Sequence, residues 1–242
     1  MIRYDGSMPA RVRLDRALSK LGVASRSEAR ELIQSGQVSV AGRVVTDASH
    51  LVVPERGAIV VAGRRASRAA WRTIALHKTR GTITTRRDPE NRPTVFDALG
   101  SVADGMIAVG RLDMASSGLL LLTTDTQLAA RLTDPAAAIV RRYIVTARGR
   151  VSDEDAGRIT DGIDGMAARS VQVLKRSNRE THLAIELTEG KNREIRRLLA
   201  ATGHEVTRLL RVAFGGIELG TLAPGEWRDV TPEEIAATHQ RD

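Results

Sequence analysis

The 242-residue chain contains no cysteine, which excludes disulfides, thiolate zinc sites and a cysteine nucleophile. Aromatic residues make up only 2% of it, namely Tyr4, Trp71, Phe96, Tyr143, Phe214 and Trp227. Modules that stack several bases on aromatic platforms need more rings than this, so a nucleic acid would be held mainly through phosphates and shape. No apolar run approaches the ~18 residues of a membrane span, and the opening MIRYDGSMPARVRL has no apolar signal core. These absences set the expectation of a soluble, cytoplasmic protein with no membrane partner. What the chain does have is positive charge, with 37 Lys and Arg against 29 Asp and Glu and a formal net charge of +8. Such an excess is the electrostatic footprint of a nucleic-acid binder.

The charge is uneven. Residues 1–70 hold 12 Lys and Arg against 6 Asp and Glu, and the remainder hold 25 against 23. A strand-like run and a basic, small-residue stretch, GAIVVAGRRASRAA, span 57–70 and suggest a domain boundary at 67–71, giving domains 1–66 and 67–242. In the first domain, Leu14, Ala17, Leu18 and Leu21 form a helical stripe closed by Gly22. Ser25-Arg26-Ser27-Glu28 is a capping-box pattern that opens a second helix, with Ala29, Leu32 and Ile33 as its buried face and Gly36 as its end. Val38, Val40, Val44 and Val45 flank a hairpin turn at Ala41-Gly42. Arg16 and Lys20 lie four apart, as do Arg26 and Arg30, so each pair shares a helix face turned away from the leucines. Elsewhere such a face is commonly just solvated; here the charge packed into so short a module points to RNA.

The second domain mixes strands and helices in an α+β order. Strands are expected over 73–77, 81–85, 107–109, 119–124, 143–147 and 182–187, helices over 128–132 and 192–202, and an extended segment over 205–212. Gly110-Arg111-Leu112-Asp113-Met114-Ala115-Ser116-Ser117-Gly118 is a polar, glycine-bounded loop that precedes four leucines and carries one carboxylate. A loop acid on a rigid scaffold is a usual catalytic arrangement, although an Asp in a turn often does no more than cap it. On the later helix, Arg193, Arg196 and Arg197 share one arc and Ile195, Leu198, Leu199 and Thr202 the opposite one, with Arg196 at the border.

LDRALSKLGVASRSEARELIQSGQVSVAGRVV resembles the small RNA-binding module named after ribosomal protein S-four. GRLDMASSGLLLLTTD resembles the catalytic signature of the RsuA/RluB/RluE/RluF group of RNA pseudouridine synthases. HKTRGTITTRRDP, RRYIV and EGKNREIRRLLAATGHEVTRLLRVAFGGIELGTLAPGEWRDVT resemble further motifs of that group, in order. Thr79 stands where the group usually has Pro, and Arg141 where Lys is commoner.

The resemblance implies a fold and a chemistry. The fold is α+β, a small N-terminal α-L (S-four-like) domain followed by a catalytic domain on a mixed, mainly antiparallel sheet flanked by helices. The reaction detaches uracil from its ribose and rejoins it through ring carbon 5, with no cofactor and no metal. Asp113 is implied as nucleophile, attacking either sugar or ring, with Arg196 as its cationic partner and Tyr143 stacking on the base. Arg111 is implied to occupy the place of the extruded nucleotide and Leu210 to line the uracil pocket. Lys78, Lys191 and Asn192 are weaker candidates for holding RNA, and Arg193 and Arg197 are assigned to phosphates. The implied partner is structured ribosomal RNA or a ribosome-assembly intermediate, acted on by a monomer. Both ribosomal subunits stay open as targets, with a lean to the large one on GEWRDVTPEEI. Two rival readings are an RNA-binding assembly factor, which needs no acid loop, and a metal nuclease built on Asp104, Asp113 and Asp125.

Overall fold

The computed structural model describes residues 11–54, 58–66 and 71–238. The chain divides into two compact units. One is Met1–Arg72 with Asp104–Ile107 and Thr124–Thr126, and the other is Thr73–Ala103, Ala108–Thr123 and Gln127–Asp242. Residues 67–70 of the boundary expected from the sequence lie outside the described residues.

In the first unit β1 (Val12–Arg13) leads into α1 (Leu14–Lys20) and α2 (Arg26–Gln34). There follow β2 (Val38–Val40), β3 (Arg43–Val44), β4 (Leu51–Val52), β5 (Ile59–Val61) and β6 (Arg64–Arg65). The Ser25 hydroxyl accepts from the Glu28 N–H and the Glu28 carboxylate from the Ser25 N–H, which closes the capping box. Ala41 and Gly42 both have positive φ, +50° and +80°, the conformation that a two-residue hairpin between β2 and β3 demands. Leu14, Ala17, Leu18, Ala29, Ile33, Val38 and Ile59 are fully buried in one cluster. Asp15 is 2% exposed and accepts from the side chains of Arg13 and Arg30 and from the Arg16 N–H. Burial works against its charge, but those bonds, led by Arg30, hold its carboxyl below the usual range.

The second unit, apart from the first residues of β8 and α4, runs β7 (Thr73–Lys78), α3 (Val95–Leu99), β8 (Ile107–Val109), β9 (Ser117–Thr123), α4 (Thr126–Thr133) and β10 (Arg141–Arg148). It continues with α5 (Asp153–Asp161), β11 (Ser170–Arg176), β12 (Glu180–Leu187), α6 (Glu194–Ala201) and β13 (Val206–Phe214). β14 (Ile217–Glu218), β15 (Trp227–Asp229) and α7 (Pro232–Ala237) complete it. Nine strands form one sheet in the order β11-β12-β10-β13-β9-β7-β15, with β8 on β9 and β14 on β13. β9 and β13 pair in parallel, whereas β10 with β12 and β13, β11 with β12, and β7 with β9 and β15 pair antiparallel. Leu119, Leu120, Leu121 and Leu122 are all 0% exposed. β9 is covered on both faces, which explains a continuous apolar run instead of an alternating one.

Two expectations fail here. No strand forms over 81–85: Ile83 makes only an isolated bridge to Thr94. The Thr82 hydroxyl donates to the Thr79 carbonyl, and the Thr84 hydroxyl donates to Leu112 O and accepts from its N–H, so side chains take the bonds a ladder would use. The helix expected over 192–202 begins only at Glu194, because Arg193 has φ +52° and stands outside it as the N-cap.

The parallel contact is tight. Gly118 has φ +106°, and a Cβ there would overlap the Arg211 carbonyl oxygen and lie 2.7 Å from its nitrogen. Gly118→Ala should therefore destabilise the protein by at least about 2 kcal/mol, measured by urea unfolding. An unchanged midpoint would mean that β9 can move off β13 without cost.

Candidate active site

A cavity of about 890 Å³ opens in the second unit, lined among others by Asp113, Tyr143, Glu194, Arg196, Leu209 and Arg211. Its floor is the β10–β13 strand pair, in which Tyr143 and Arg211 stand directly opposite each other and so share a face. Its rim is the loop from Gly110 to Ser116 and the turn before α6.

The loop carrying Asp113 is held by its own carbonyls. Lys78, 1% exposed, donates from Nζ to the carbonyls of Asp113 (3.1 Å), Ser116 (2.9 Å) and Thr79 (3.0 Å). Ser116 N–H also donates to Asp113 O, and Gly81 N–H to Met114 O. Arg196 donates from Nη1 to Val206 O at 2.9 Å and from Nη2 to Ala115 O at 3.4 Å. The Asp113 carboxylate faces two guanidinium groups, Arg193 Nη1 at 3.7 Å and Arg196 Nε at 4.0 Å from Oδ2. The Arg193 side chain is 53% exposed and that of Arg196 14%, so the second charge is much less screened by water. Burial and then the charge of Arg193 pull Arg196 below the ordinary arginine range, while Asp113 opposes them.

More buried charge lies deeper. Arg141 and Arg211 are 8% and 2% exposed and sit over the Phe214 ring at 4.8 and 5.4 Å. Arg141 donates to the carbonyls of Ile139 and Thr188, and Arg211 Nε to that of Leu119 at 2.7 Å. Glu194 Oε2 accepts from the Lys191 N–H; burial raises its carboxyl above the usual range, and the adjacent Glu189 adds to this. Glu194 Oε1, Arg196 Nε and Arg211 Nη2 are buried with no hydrogen-bond partner among the described residues. A buried polar group left so costs about 1–3 kcal/mol, and all three residues line the cavity.

Several sequence assignments change. Lys78, proposed from the sequence to hold RNA, is buried beneath the loop and bonds the Asp113 carbonyl instead of standing at the surface. Leu210 does not line the cavity; along β13 the side chains alternate, so Leu209 and Arg211 share the cavity face and Leu210 takes the other. Arg193 does not lie on the helical arc, and its left-handed backbone brings its guanidinium to Asp113 instead. Arg111, Lys191 and Asn192 are exposed on the cavity rim, with Lys191 Nζ bonded to Glu189 and Gly165 O. Arg197 is exposed and lies outside the cavity lining. The structure adds Arg141, Glu194 and Arg211, which sequence reasoning passed over as site residues. An arginine within the apolar run Leu209–Phe214 was the available signal for Arg211. Among the described residues no three His, Cys, Asp or Glu side chains are grouped to hold a metal ion, so Asp104, Asp113 and Asp125 do not form a ligand set.

Comparison with known proteins agrees with this architecture. Residues 72–201 match the model of the RNA pseudouridylate synthase family, and residues 12–60 match the S4 domain. The chain is 36% identical over 230 residues to an uncharacterized RNA pseudouridine synthase of Aquifex aeolicus, covering 93% of this chain and 92% of that one. It is 37% identical over 229 residues to ribosomal large subunit pseudouridine synthase B of Escherichia coli K12, covering 90% of this chain and 79% of the relative. A crystal structure of a pseudouridylate synthase shares the fold, with a TM-score of 0.64 at 24% identity over 94% of this chain and 99% of that one.

The Lys78 environment makes a prediction about stability. Burial lowers its pKa from 10.5 to about 8, with Asp113 acting against the shift and Arg211 with it. The folded state thus binds this proton less well than the unfolded state, and stability rises with pH between the two values. From about pH 7 to pH 9 the protein should gain about 1 kcal/mol relative to Lys78→Met, by urea unfolding. Parallel pH profiles for the two proteins would contradict a buried, charged Lys78.

Proposed function

The chain belongs to the RNA pseudouridylate synthase family, and on that premise we propose that it converts a uridine of large-subunit ribosomal RNA to pseudouridine, with Asp113 as nucleophile. The observation that carries the assignment of Asp113 is its position: it is the carboxylate of the loop that Lys78, Arg196 and Arg193 converge on. The choice of the large subunit rests on the relatives' names. A ribosomal RNA substrate supports a cytoplasmic location; among the described residues no helix is long and apolar enough to cross a membrane.

The net reaction moves C1′ of the ribose from N1 to C5 of uracil and a proton from C5 to N1, with no change in oxidation state. A carboxylate attacks only when ionised and is a weak nucleophile unless positioned. Arg193 and Arg196 face Asp113 Oδ2 at 3.7 and 4.0 Å, and the Lys78 and Ser116 bonds to its backbone fix its direction. Asp113 accepts the separated sugar or ring while the base is held on the floor at Tyr143 and Leu209. Extraction of the base from the RNA stack costs a few kcal/mol; Arg111 on the rim is placed to fill the gap. In the first unit, exposed Arg16 and Arg26, with the partly buried Lys20 and with Arg30 set by Asp15, present the charge that meets phosphates.

Asp113→Asn should bind ribosomal RNA as wild type does and form no pseudouridine in it; measurable product above background would remove Asp113 as nucleophile. Arg196→Met should slow single-turnover formation by about 2–4 kcal/mol, Arg193→Met by less because water screens its charge. Arg197→Met should only weaken RNA affinity as salt rises. A larger loss of the chemical step at Arg193 than at Arg196 would reverse their order of importance.

RNA affinity plotted against salt tests the first unit. Replacing both Arg16 and Arg26 by Gln should reduce the slope by about one per lost phosphate contact. An unchanged slope would mean that neither residue touches the RNA.

A further inference from the structure

We propose that Arg211 reads the extruded base, donating a hydrogen bond from Nη2 to uracil O4 and so selecting uracil over cytosine. The inference rests on the pseudouridine synthase reading and assigns to that site a specificity residue. Arg211 lines the cavity, is 2% exposed, and has Nη2 buried with no partner among the described residues. Its orientation is fixed at two points: Nε donates to Leu119 O at 2.7 Å, and the guanidinium lies 5.4 Å from the Phe214 ring centroid. A guanidinium carries donors only, so what it lacks is an acceptor from the ligand.

The ring geometry of uracil says which acceptor. Asp113 has a side chain 34% exposed and acts at the glycosidic end of the base, whereas Arg211 lies on the floor opposite Tyr143. The ring atom directly across from N1 is C4, so a base entering with its sugar at Asp113 presents O4 to the floor. Cytosine presents an amino group there, a donor facing a donor, with a buried charge left unpaired. The same arrangement serves the second half of the reaction. To rejoin through C5 the detached ring must turn about its N3–C6 axis, which exchanges N1 with C5 and O4 with O2. A donor on the floor then finds a carbonyl both before and after the turn.

The test uses the whole protein and a large-subunit RNA fragment on which the wild type forms pseudouridine. The fragment is made with uridine or 4-thiouridine at the target position, since sulfur is a much weaker acceptor than oxygen. Single-turnover rates of C5-linked product are compared. The wild type should be slowed at least about tenfold by 4-thiouridine. Arg211→Met should be slow on both RNAs, with their ratio falling below about threefold, and Arg211→Lys, which keeps a donor, should retain most of the ratio. A wild-type ratio near one overturns the proposal even if no Arg211 variant folds, and so does a ratio unchanged in Arg211→Met. Failure of the wild type to form pseudouridine from uridine in any ribosomal RNA would instead overturn the functional reading, and this inference with it.

Discussion

The approach of β9 to β13 at Gly118 and Arg211 is the constraint on which the site depends. A side chain of any size at position 118 would overlap the backbone of Arg211, so only glycine lets the two strands meet in parallel. That contact sets the end of the Asp113 loop, which leads into β9, against the strand that carries Leu209 and Arg211. It also puts the Leu119 carbonyl within reach of Arg211 Nε. α6 packs on the same strand with Ile195, Leu198 and Leu199 buried, and its Arg196 reaches the Ala115 carbonyl of the loop. One backbone contact thus fixes the acid, its cationic neighbours and the cavity floor relative to one another.

The electrostatic design follows from burying more positive than negative charge around one carboxylate. Lys78, Arg141, Arg196 and Arg211 all bond main-chain carbonyls, which stabilises their charge; of the four, Arg196 also faces the Asp113 carboxylate. Ion pairs would satisfy them more fully but would cancel the field at Asp113 and in the cavity. Backbone carbonyls hold them rigid and leave the field available to an anionic substrate. The expense appears as the depressed Lys78 pKa, about 8, and as the unpaired atoms Arg196 Nε and Arg211 Nη2.

Much of this was legible in the chain itself. The capping box at Ser25–Glu28, the Ala41-Gly42 hairpin and the leucine stripe of α1 depend on local chemistry, and they form as the residues imply. The same capping logic at Thr94–Asp97, Ser152–Asp155 and Thr231–Glu234 marks α3, α5 and α7, which hydrophobic patterning missed because these helices are short or polar. The 81–85 segment misled because its threonines have strand propensity but spend their hydroxyls on loop carbonyls. At the site, the acid loop and the border position of Arg196 could be read from motif and helix phase. The roles of Lys78, Leu209 and Arg193 could not, since burial under a loop, the strand face and a left-handed backbone at an arginine are tertiary facts, and Arg211 showed itself only as an arginine inside the apolar run Leu209–Phe214.

The most direct measurement of the central claim is a base-resolution map of pseudouridine in large-subunit ribosomal RNA from cells lacking the gene, complemented with wild type or Asp113→Asn. The account predicts that one modified position is lost with the gene, returns with the wild-type protein and stays absent with Asp113→Asn. An unchanged map in cells without the gene, or restoration by the Asp113→Asn protein, would contradict it.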